Sequence, residues 1–246
     1  MRVLIVDDEM LARSILSEHL NKVPDIEIIG QAANGFEAVK LAEELSPDLM
    51  FLDIQMPKLS GFEVLELLGD RAPVVIFTTA HDEFALRAFE VHAVDYLLKP
   101  VEPPRLAAAV ERAAERLRAR VPPPSGQQLA AAARPPGRSL ERVLIRHEGR
   151  VHVLPLERID FVEAQDDYLS FSVGGKRLRK QQTMSDLESQ LDATRFVRIH
   201  RSFILNVERL ARIDLYGKDS WLAILSDGTK LPMSRTGHAK LKELIG

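Results

Sequence analysis

The stretch Val121 to Arg138, Val-Pro-Pro-Pro-Ser-Gly-Gln-Gln-Leu-Ala-Ala-Ala-Ala-Arg-Pro-Pro-Gly-Arg, is too rich in proline and glycine to hold a continuous helix. It divides the chain before any motif is read. A linker is expected at 121–138, with one domain at 1–120 and another at 139–246, and the proline triplet is expected to be locally extended and stiff. The 246 residues, 46% of them hydrophobic, are enough for two packed cores. The flanks also differ in charge. Met1 to Arg120 carries 13 basic and 21 acidic residues, a net −8, whereas Ser139 to Gly246 carries 18 basic and 15 acidic, a net +3. An acidic half suits metal or phosphoryl chemistry and a basic half suits a polyanion. The absence of cysteine removes disulfides, thiolate metal sites and cysteine nucleophiles. The first apolar run is too short for a signal peptide, and none reaches the roughly 18 residues of a membrane span, so a cytoplasmic protein without membrane contact is expected.

The first half alternates short apolar runs with amphipathic stretches, which predicts an α/β fold with a five-stranded parallel, doubly wound sheet. Strands are expected at Arg2 to Val6, Glu27 to Ala32, Leu49 to Leu52, Val74 to Thr78 and Asp95 to Leu98. The first helix is expected at about Met10 to Val23, with Leu11, Ile15 and Leu20 able to share a face. Asn34 is expected to cap a second helix reaching Leu45. Further helices are expected at Gly61 to Leu68, Asp82 to Phe89 and about Glu102 to Arg120.

Ligands of open parallel sheets sit beyond the carboxyl ends of the strands, where this sequence places Asp7, Asp8, Asp53, Thr79 and Lys99. Three converging carboxylates repel one another without a cation, and an all-oxygen ligand set suits Mg²⁺. Asp53 is the candidate nucleophile toward phosphorus, with Thr79 and Lys99 as donors to phosphoryl oxygens. Taken singly, Asp7, Asp8 and Thr79 read as helix caps, Lys99 as a surface lysine and Tyr96 as core. Their joint placement at four strand ends has no comparable structural explanation.

These blocks, Val-Asp-Asp-Glu at Val6 to Glu9, Leu-Asp-Ile-Gln-Met-Pro at Leu52 to Pro57 with Gly61, Thr79-Ala80 and Lys99-Pro100, resemble the flavodoxin-like receiver domain of two-component response regulators. The resemblance implies that Asp53 accepts a phosphoryl group from a sensor histidine kinase or a small phosphodonor. It further implies that Asp8 and Asp53 bind Mg²⁺ directly, Asp7 through water and Gln55 by its backbone carbonyl, with Tyr96 as the aromatic switch. A metal-dependent aspartyl phosphotransferase would instead carry its nucleophile after the first strand, in an Asp-x-Asp motif.

The second half is expected to be mainly β. Hairpins are expected at Arg142 to Leu154, around His147-Glu148-Gly149, and at Tyr168 to Lys180, around Gly174-Gly175. Ile159 to Ala164 reads as a strand before the polar loop Gln165-Asp166-Asp167. A helix start is read at Thr183, with Met184, Leu187 and Leu191 on one side. Strands follow at Phe196 to Ile199, Phe203 to Val207, Trp221 to Leu225 and Lys230 to Met233, and a closing helix at Ser234 to Ile245. Alternation places Val197 and Ile199 inward with Arg198 and His200 outward, and a break or bulge is expected to turn Arg201 out.

Phe161 to Tyr168, Phe196 to Asn206 and Leu231 to Arg235 resemble the LytTR DNA-binding domain, whose antiparallel sheets insert loops into successive major grooves. The resemblance carries recognition onto Asp167, Tyr168, Arg201 and Arg235. Arg179, Lys180, Arg198, His200 and Lys240 complete the basic set for double-stranded DNA, with phosphate contacts expected of Arg179 and Lys180. Asp167 stands where the family often has asparagine, which leaves base preference open. The expected whole is a non-enzymatic transcription regulator, a homodimer when phosphorylated. A receiver with a protein- or RNA-binding output is the other reading, separated by whether the second domain prefers duplex DNA.

Overall fold

The computed structural model describes residues 1–80, 93–119, 140–147, 150–216 and 220–245. The chain divides into two compact units, Met1–Pro135 and Pro136–Gly246. The expected linker at 121–138 and the expected helix at Asp82 to Phe89 lie outside the described residues, as does part of the first hairpin turn, Glu148-Gly149.

The first unit contains the parallel sheet β1 (Arg2–Val6), β2 (Glu27–Ala32), β3 (Leu49–Asp53), β4 (Val74–Thr79) and β5 (Asp95–Leu98), in the order β2-β1-β3-β4-β5. Val3, Ile5, Leu49, Phe51 and Ile76 share a cluster with Leu16 and Leu20 of α1 (Met10–Leu20). Leu106, Ala109, Val110 and Ala113 of the helix after β5 belong to the same cluster. Leu4, Val6, Met50, Leu52 and Phe77, which alternation turns to the other face, are equally buried. Both faces are covered, so the strands read as continuous apolar runs. Each fully buried Leu or Phe is worth about 1.5–3 kcal/mol.

Caps set the helix starts. Asn34 accepts the amide of Glu37 at 3.0 Å to open α2 (Gly35–Leu45). Ser60 and Glu63 form a reciprocal capping box at α3 (Gly61–Leu68). Proline occupies the first position of α4 (Pro103–Arg118). Leu11, Ile15 and Leu20 do not share one environment in α1: Leu11 and Ile15 are 70% and 42% exposed, whereas Leu20 is buried together with Leu16. The apolar stripe is wide, and docking on the sheet selects its other edge.

Among the described residues, the second unit holds three antiparallel sheets. The hairpin β6 (Arg142–His147) and β7 (Arg150–Pro155) stands as one. The main sheet comprises β8 (Phe161–Gln165), β9 (Tyr168–Val173), β10 (Lys176–Gln181), β11 (Phe196–His200) and β12 (Phe203–Asn206), in the order β10-β9-β8-β12-β11. A third sheet joins β13 (Leu210–Leu215), β14 (Trp221–Leu225) and β15 (Lys230–Met233). Strand β13 has no counterpart in the sequence reading, because Leu-Ala-Arg-Ile-Asp-Leu lies half in solvent and lacks clean alternation.

The main sheet is buried on both faces. Val162, Phe171, Ile204 and Leu169 join Met184, Leu187 and Leu191 from α5 (Met184–Glu188) and the loop after it. Phe161, Val197, Ile199 and Leu205 join Leu241 of α6 (Arg235–Ile245). Gly237 is where α6 crosses β11, and a Cβ there would lie 2.0 Å from the Ile199 carbonyl oxygen. Trp221 stacks on His238 of α6, with rings 5° from parallel and centroids 4.3 Å apart.

Candidate functional site

In the first unit, three strand ends converge. The amides of Ile54 and Lys99 bond to the carbonyls of Thr78 (3.2 Å) and Thr79 (2.8 Å), so the ends of β3, β4 and β5 are tied side by side. Carboxylate oxygens of Asp7, Asp8 and Asp53 lie within 4.8 Å of one another. Asp7 and Asp53 are buried and Asp8 faces solvent. Lys99 bridges the buried pair, its Nζ 2.7 Å from Asp53 Oδ2 and 2.8 Å from Asp7 Oδ2. Glu9, which sequence reasoning did not single out, lies 3.7 Å from the same ammonium. Thr79 is fully buried at the end of β4, one residue beyond Thr78, which pairs with Asp53, and Gln55 is exposed with its backbone N–H donating to Asp53 Oδ1 at 3.1 Å.

Asp53 and Lys99 both titrate above their ordinary values, for different reasons. Burial raises Asp53, and the opposing hydrogen bond and charge of Lys99 do not cancel it, with nearby Asp7 adding to the rise. Burial alone would lower Lys99, but its hydrogen bonds to Asp53 and Asp7 outweigh that and hold the ammonium charged. One ammonium against three carboxylates leaves about two negative charges uncompensated, which a divalent cation with oxygen ligands matches. The donor set therefore fits Mg²⁺. The Asp53 loop also depends on Gly61, where a Cβ would lie 2.4 Å from the Asp53 carbonyl oxygen.

Tyr96 is buried on β5, opposite Phe77. Its surroundings contain a network that the motif reading missed. Buried Asp95 pairs with Arg105 (3.1 Å) and with Arg112 of α4, and Arg105 also donates to the Tyr96 carbonyl at 3.1 Å. Partners ten and seventeen residues away, across a strand-to-helix connection, leave no short motif to find.

In the second unit, one end of the main sheet gathers most of the basic candidates. The two-residue turn Arg201-Ser202 joins β11 to β12, and the turn Asp166-Asp167 joins β8 to β9 at the same end, where the Ala164 amide bonds to the Ser202 carbonyl at 2.9 Å. Asp167, Tyr168 and Arg201 are exposed there. Pairing slips between Arg198 and His200, so both the expected turn and an irregularity are present. Arg235 opens α6, and Ser234 before it accepts the Gly237 amide at 3.0 Å while its own amide bonds to the Ile199 carbonyl at 2.8 Å. This brings the helix start to the end of β11. A concavity of about 360 Å³ is lined by Arg198, His200, Arg201, Ser234, Thr236 and Lys240.

Arg179 and Lys180 lie on β10 at the opposite edge of the sheet, four strands from β11 and hence about 19 Å away. They do not form one patch. Lys180 falls on the face of Leu178 and Phe171, and Arg179 on the other, with Arg177 over the Phe161 ring. Arg198 and Lys240 reach Glu188 at 3.0 and 3.6 Å.

Residues 3–111 match the family model of the response regulator receiver domain, and residues 149–246 match that of the LytTr DNA-binding domain. The chain belongs to the response regulators that join these two domains, a family of DNA-binding transcription regulators. The Sensory transduction protein LytT of Enterococcus faecalis is 35% identical over 248 residues, covering 100% of this chain and 99% of that protein. The Transcriptional regulatory protein BtsR of Salmonella typhi is 38% identical over 248 residues, with the same coverage. The response regulatory domain of protein mrkE from Klebsiella pneumoniae is 33% identical, with a TM-score of 0.45, over 49% of this chain and 100% of that one. Among the described residues, no helix is long and apolar enough to cross a membrane.

Proposed function

We propose that phosphoryl transfer to Asp53 controls self-association of this chain in the cytoplasm, and through it sequence-specific binding of double-stranded DNA. The observation that carries the reading is the Lys99 ammonium held 2.7 Å from Asp53 and 2.8 Å from Asp7 amid three mutually close carboxylates. An Asp53 oxygen attacks the phosphorus of a sensor kinase's phosphohistidine or of a small phosphodonor. The bond from phosphorus to the donor breaks with its electrons going to the donor, leaving an acyl phosphate on Asp53. Asp8 and Asp53 would hold Mg²⁺ directly, with Asp7 through water and the Gln55 carbonyl completing the set. When bound, the ion offsets charge on the phosphoryl oxygens.

Lys99 and the Thr79 hydroxyl then donate to the new oxygens. Movement there reaches Tyr96, whose carbonyl Arg105 links to α4, so the β5 and α4 surface is positioned to change self-association. Two output domains in one dimer meet two half-sites together, and linkage raises the effective concentration of the second contact. In the output domain Arg201, Arg235, Asp167 and Tyr168 read bases, and Arg179 and Lys180 contact phosphates.

The test incubates wild type and Asp53→Asn with Mg²⁺ and a small phosphodonor, and follows intact mass, light scattering and titration of a duplex selected from random DNA. Wild type gains one phosphoryl group, dimerises and tightens on the selected duplex, and the variant does none of these. Equal labelling of both proteins removes Asp53 from the reading. Labelling without change in association removes the dimer switch.

A further inference from the structure

The peptide group between Arg201 and Ser202 is held by side chains at both ends. Its carbonyl accepts a hydrogen bond from Arg198 Nη2 at 3.1 Å, and its N–H donates to His200 Nδ1 at 3.2 Å. Fixing one peptide plane sets ψ of Arg201 and φ of Ser202, and with them the direction in which the Arg201 side chain leaves the turn. The Arg198 fork is itself aimed, since its other nitrogen, Nη1, lies 3.0 Å from Glu188 Oε2 at the end of α5. Lys240 of α6 lies 3.6 Å from the same carboxylate. The imidazole sits with its ring centroid 6.0 Å from that of Phe203. Because Nδ1 accepts a hydrogen bond, the neutral ring carries its proton on Nε2.

Arg198 is therefore poorly placed to meet a DNA phosphate. Two of its nitrogens are committed inside the domain, and its side chain is only 27% exposed. Arg201, by contrast, is exposed. We propose that Arg198 and His200 are positioning residues that clamp the Arg201–Ser202 peptide, with Glu188 aiming the clamp, so that they serve DNA recognition through Arg201 and not by contacts of their own. The inference rests on the DNA-binding reading of the output domain and says how that domain builds its specificity. A planar guanidinium discriminates guanine only when presented edge-on, so the backbone beneath it has to be fixed before DNA arrives.

The experiment uses the full chain and titrates the selected duplex and a scrambled duplex at several salt concentrations. Arg198→Lys keeps the charge and loses the fork, Glu188→Gln loses the aiming charge, and His200→Ala loses the acceptor. Each is expected to weaken the selected duplex about tenfold while leaving the scrambled duplex and the salt slope unchanged. His200→Asn, which returns an acceptor at similar reach, is expected to restore binding. In an Arg201→Ala background all three changes are expected to have no further effect, a coupling that general destabilisation would not produce. Equal losses on both duplexes, with the salt slope flattened by about one unit, would make Arg198 a phosphate contact and overturn the proposal. So would tighter binding of both duplexes by Glu188→Gln. A wild type with no preference between the duplexes defeats the DNA reading and this inference with it, whereas wild-type preference with additive losses defeats the inference alone.

Discussion

In the receiver the candidate reactive groups are inside the protein and their charges are the problem to be solved. In the output domain the groups proposed for recognition are outside and their direction is the problem. Asp7 and Asp53 are 3% and 4% exposed and share one ammonium. Arg201 and Arg235 stand in solvent on a turn and a helix start, where charge is inexpensive and only geometry has to be enforced. A buried polar site shows itself as perturbed titration, an exposed one as side chains spent on holding the backbone. The contrast locates the sensitivity of each unit: cations and protons for the receiver, small backbone displacements for the output domain.

The sharpest way to break the comparison is a matched pair of methyl additions. Gly237→Ala forces α6 away from the Ile199 carbonyl and is expected to cost about 3 kcal/mol of output-domain stability, with loss of DNA binding and normal labelling of Asp53. Gly61→Ala pushes on the Asp53 carbonyl and is expected to slow labelling while DNA binding by the output domain persists. Thermal unfolding and the two activity assays separate these outcomes. If each change abolishes both activities, the units do not work independently.

Metal comes next in size. Mg²⁺ at about a hundred times its dissociation constant is expected to stabilise the receiver by about 2.7 kcal/mol, and a chelator to remove the gain. Asp8→Ala is expected to abolish most of that response without touching the output transition, as differential scanning calorimetry would show. An equal Mg²⁺ response in the variant would place the ion elsewhere.

At the output surface, Arg201→Ala and Arg235→Ala are each expected to cost about 1–3 kcal/mol on the selected duplex and to relax preference at one base position. Arg179→Ala and Lys180→Ala are expected to weaken all sequences alike and to flatten the salt dependence by about one unit each. Titrations of selected and scrambled duplexes across salt concentrations decide between the two roles.

The smallest effects concern protons, and they carry opposite signs in the two units. Asp53 titrates higher in the folded protein, so its contribution is fully present below its unfolded value near 3.8 and is lost as pH rises through the folded value. Metal-free Asp53→Asn is therefore expected to gain stability relative to wild type as pH rises to neutrality. Asp227 titrates lower, chiefly through the Thr229 amide, so its contribution is present above 3.8 and is lost as pH falls through the folded value. Asp227 is exposed and solvent screens its interactions, so Asp227→Ala is expected to cost only a small amount at neutral pH, and less in strong acid. Melting curves at a series of pH values check both signs.

The sheet of the receiver and the placement of its five candidate residues at the strand ends are legible in the sequence, because doubly covered strands are continuous apolar runs and polar groups collect where each run stops. The inner edge of α1 is not legible, since Leu11, Ile15, Leu16 and Leu20 form one broad stripe and only docking chooses within it. In the output domain, one motif mixes two jobs. Asn206 is fully buried and donates to the Ile159 carbonyl at 2.8 Å, a fastening of the fold, whereas Arg201 five residues earlier faces solvent. Alternation separated Arg198 and His200 from the face of Val197 and Ile199, but that other face is also covered, so both are only part-exposed, and their bonds to a single peptide exist only once the chain has turned. Glu188 carries no local signal at all, because its partners Arg198 and Lys240 come from later elements.

The stack of Trp221 on His238 has a practical consequence. The chain contains a single tryptophan, so its fluorescence comes from one place, the seam between β14 and α6. The imidazole lies flat against the indole only while α6 is seated, and the helix begins at Arg235. Emission from the unlabelled full-length protein thus isolates the seating of that helix from every event in the receiver, which contains no tryptophan. An optical signal that changes on adding DNA but not on adding phosphodonor would time the last step of signalling separately from the first.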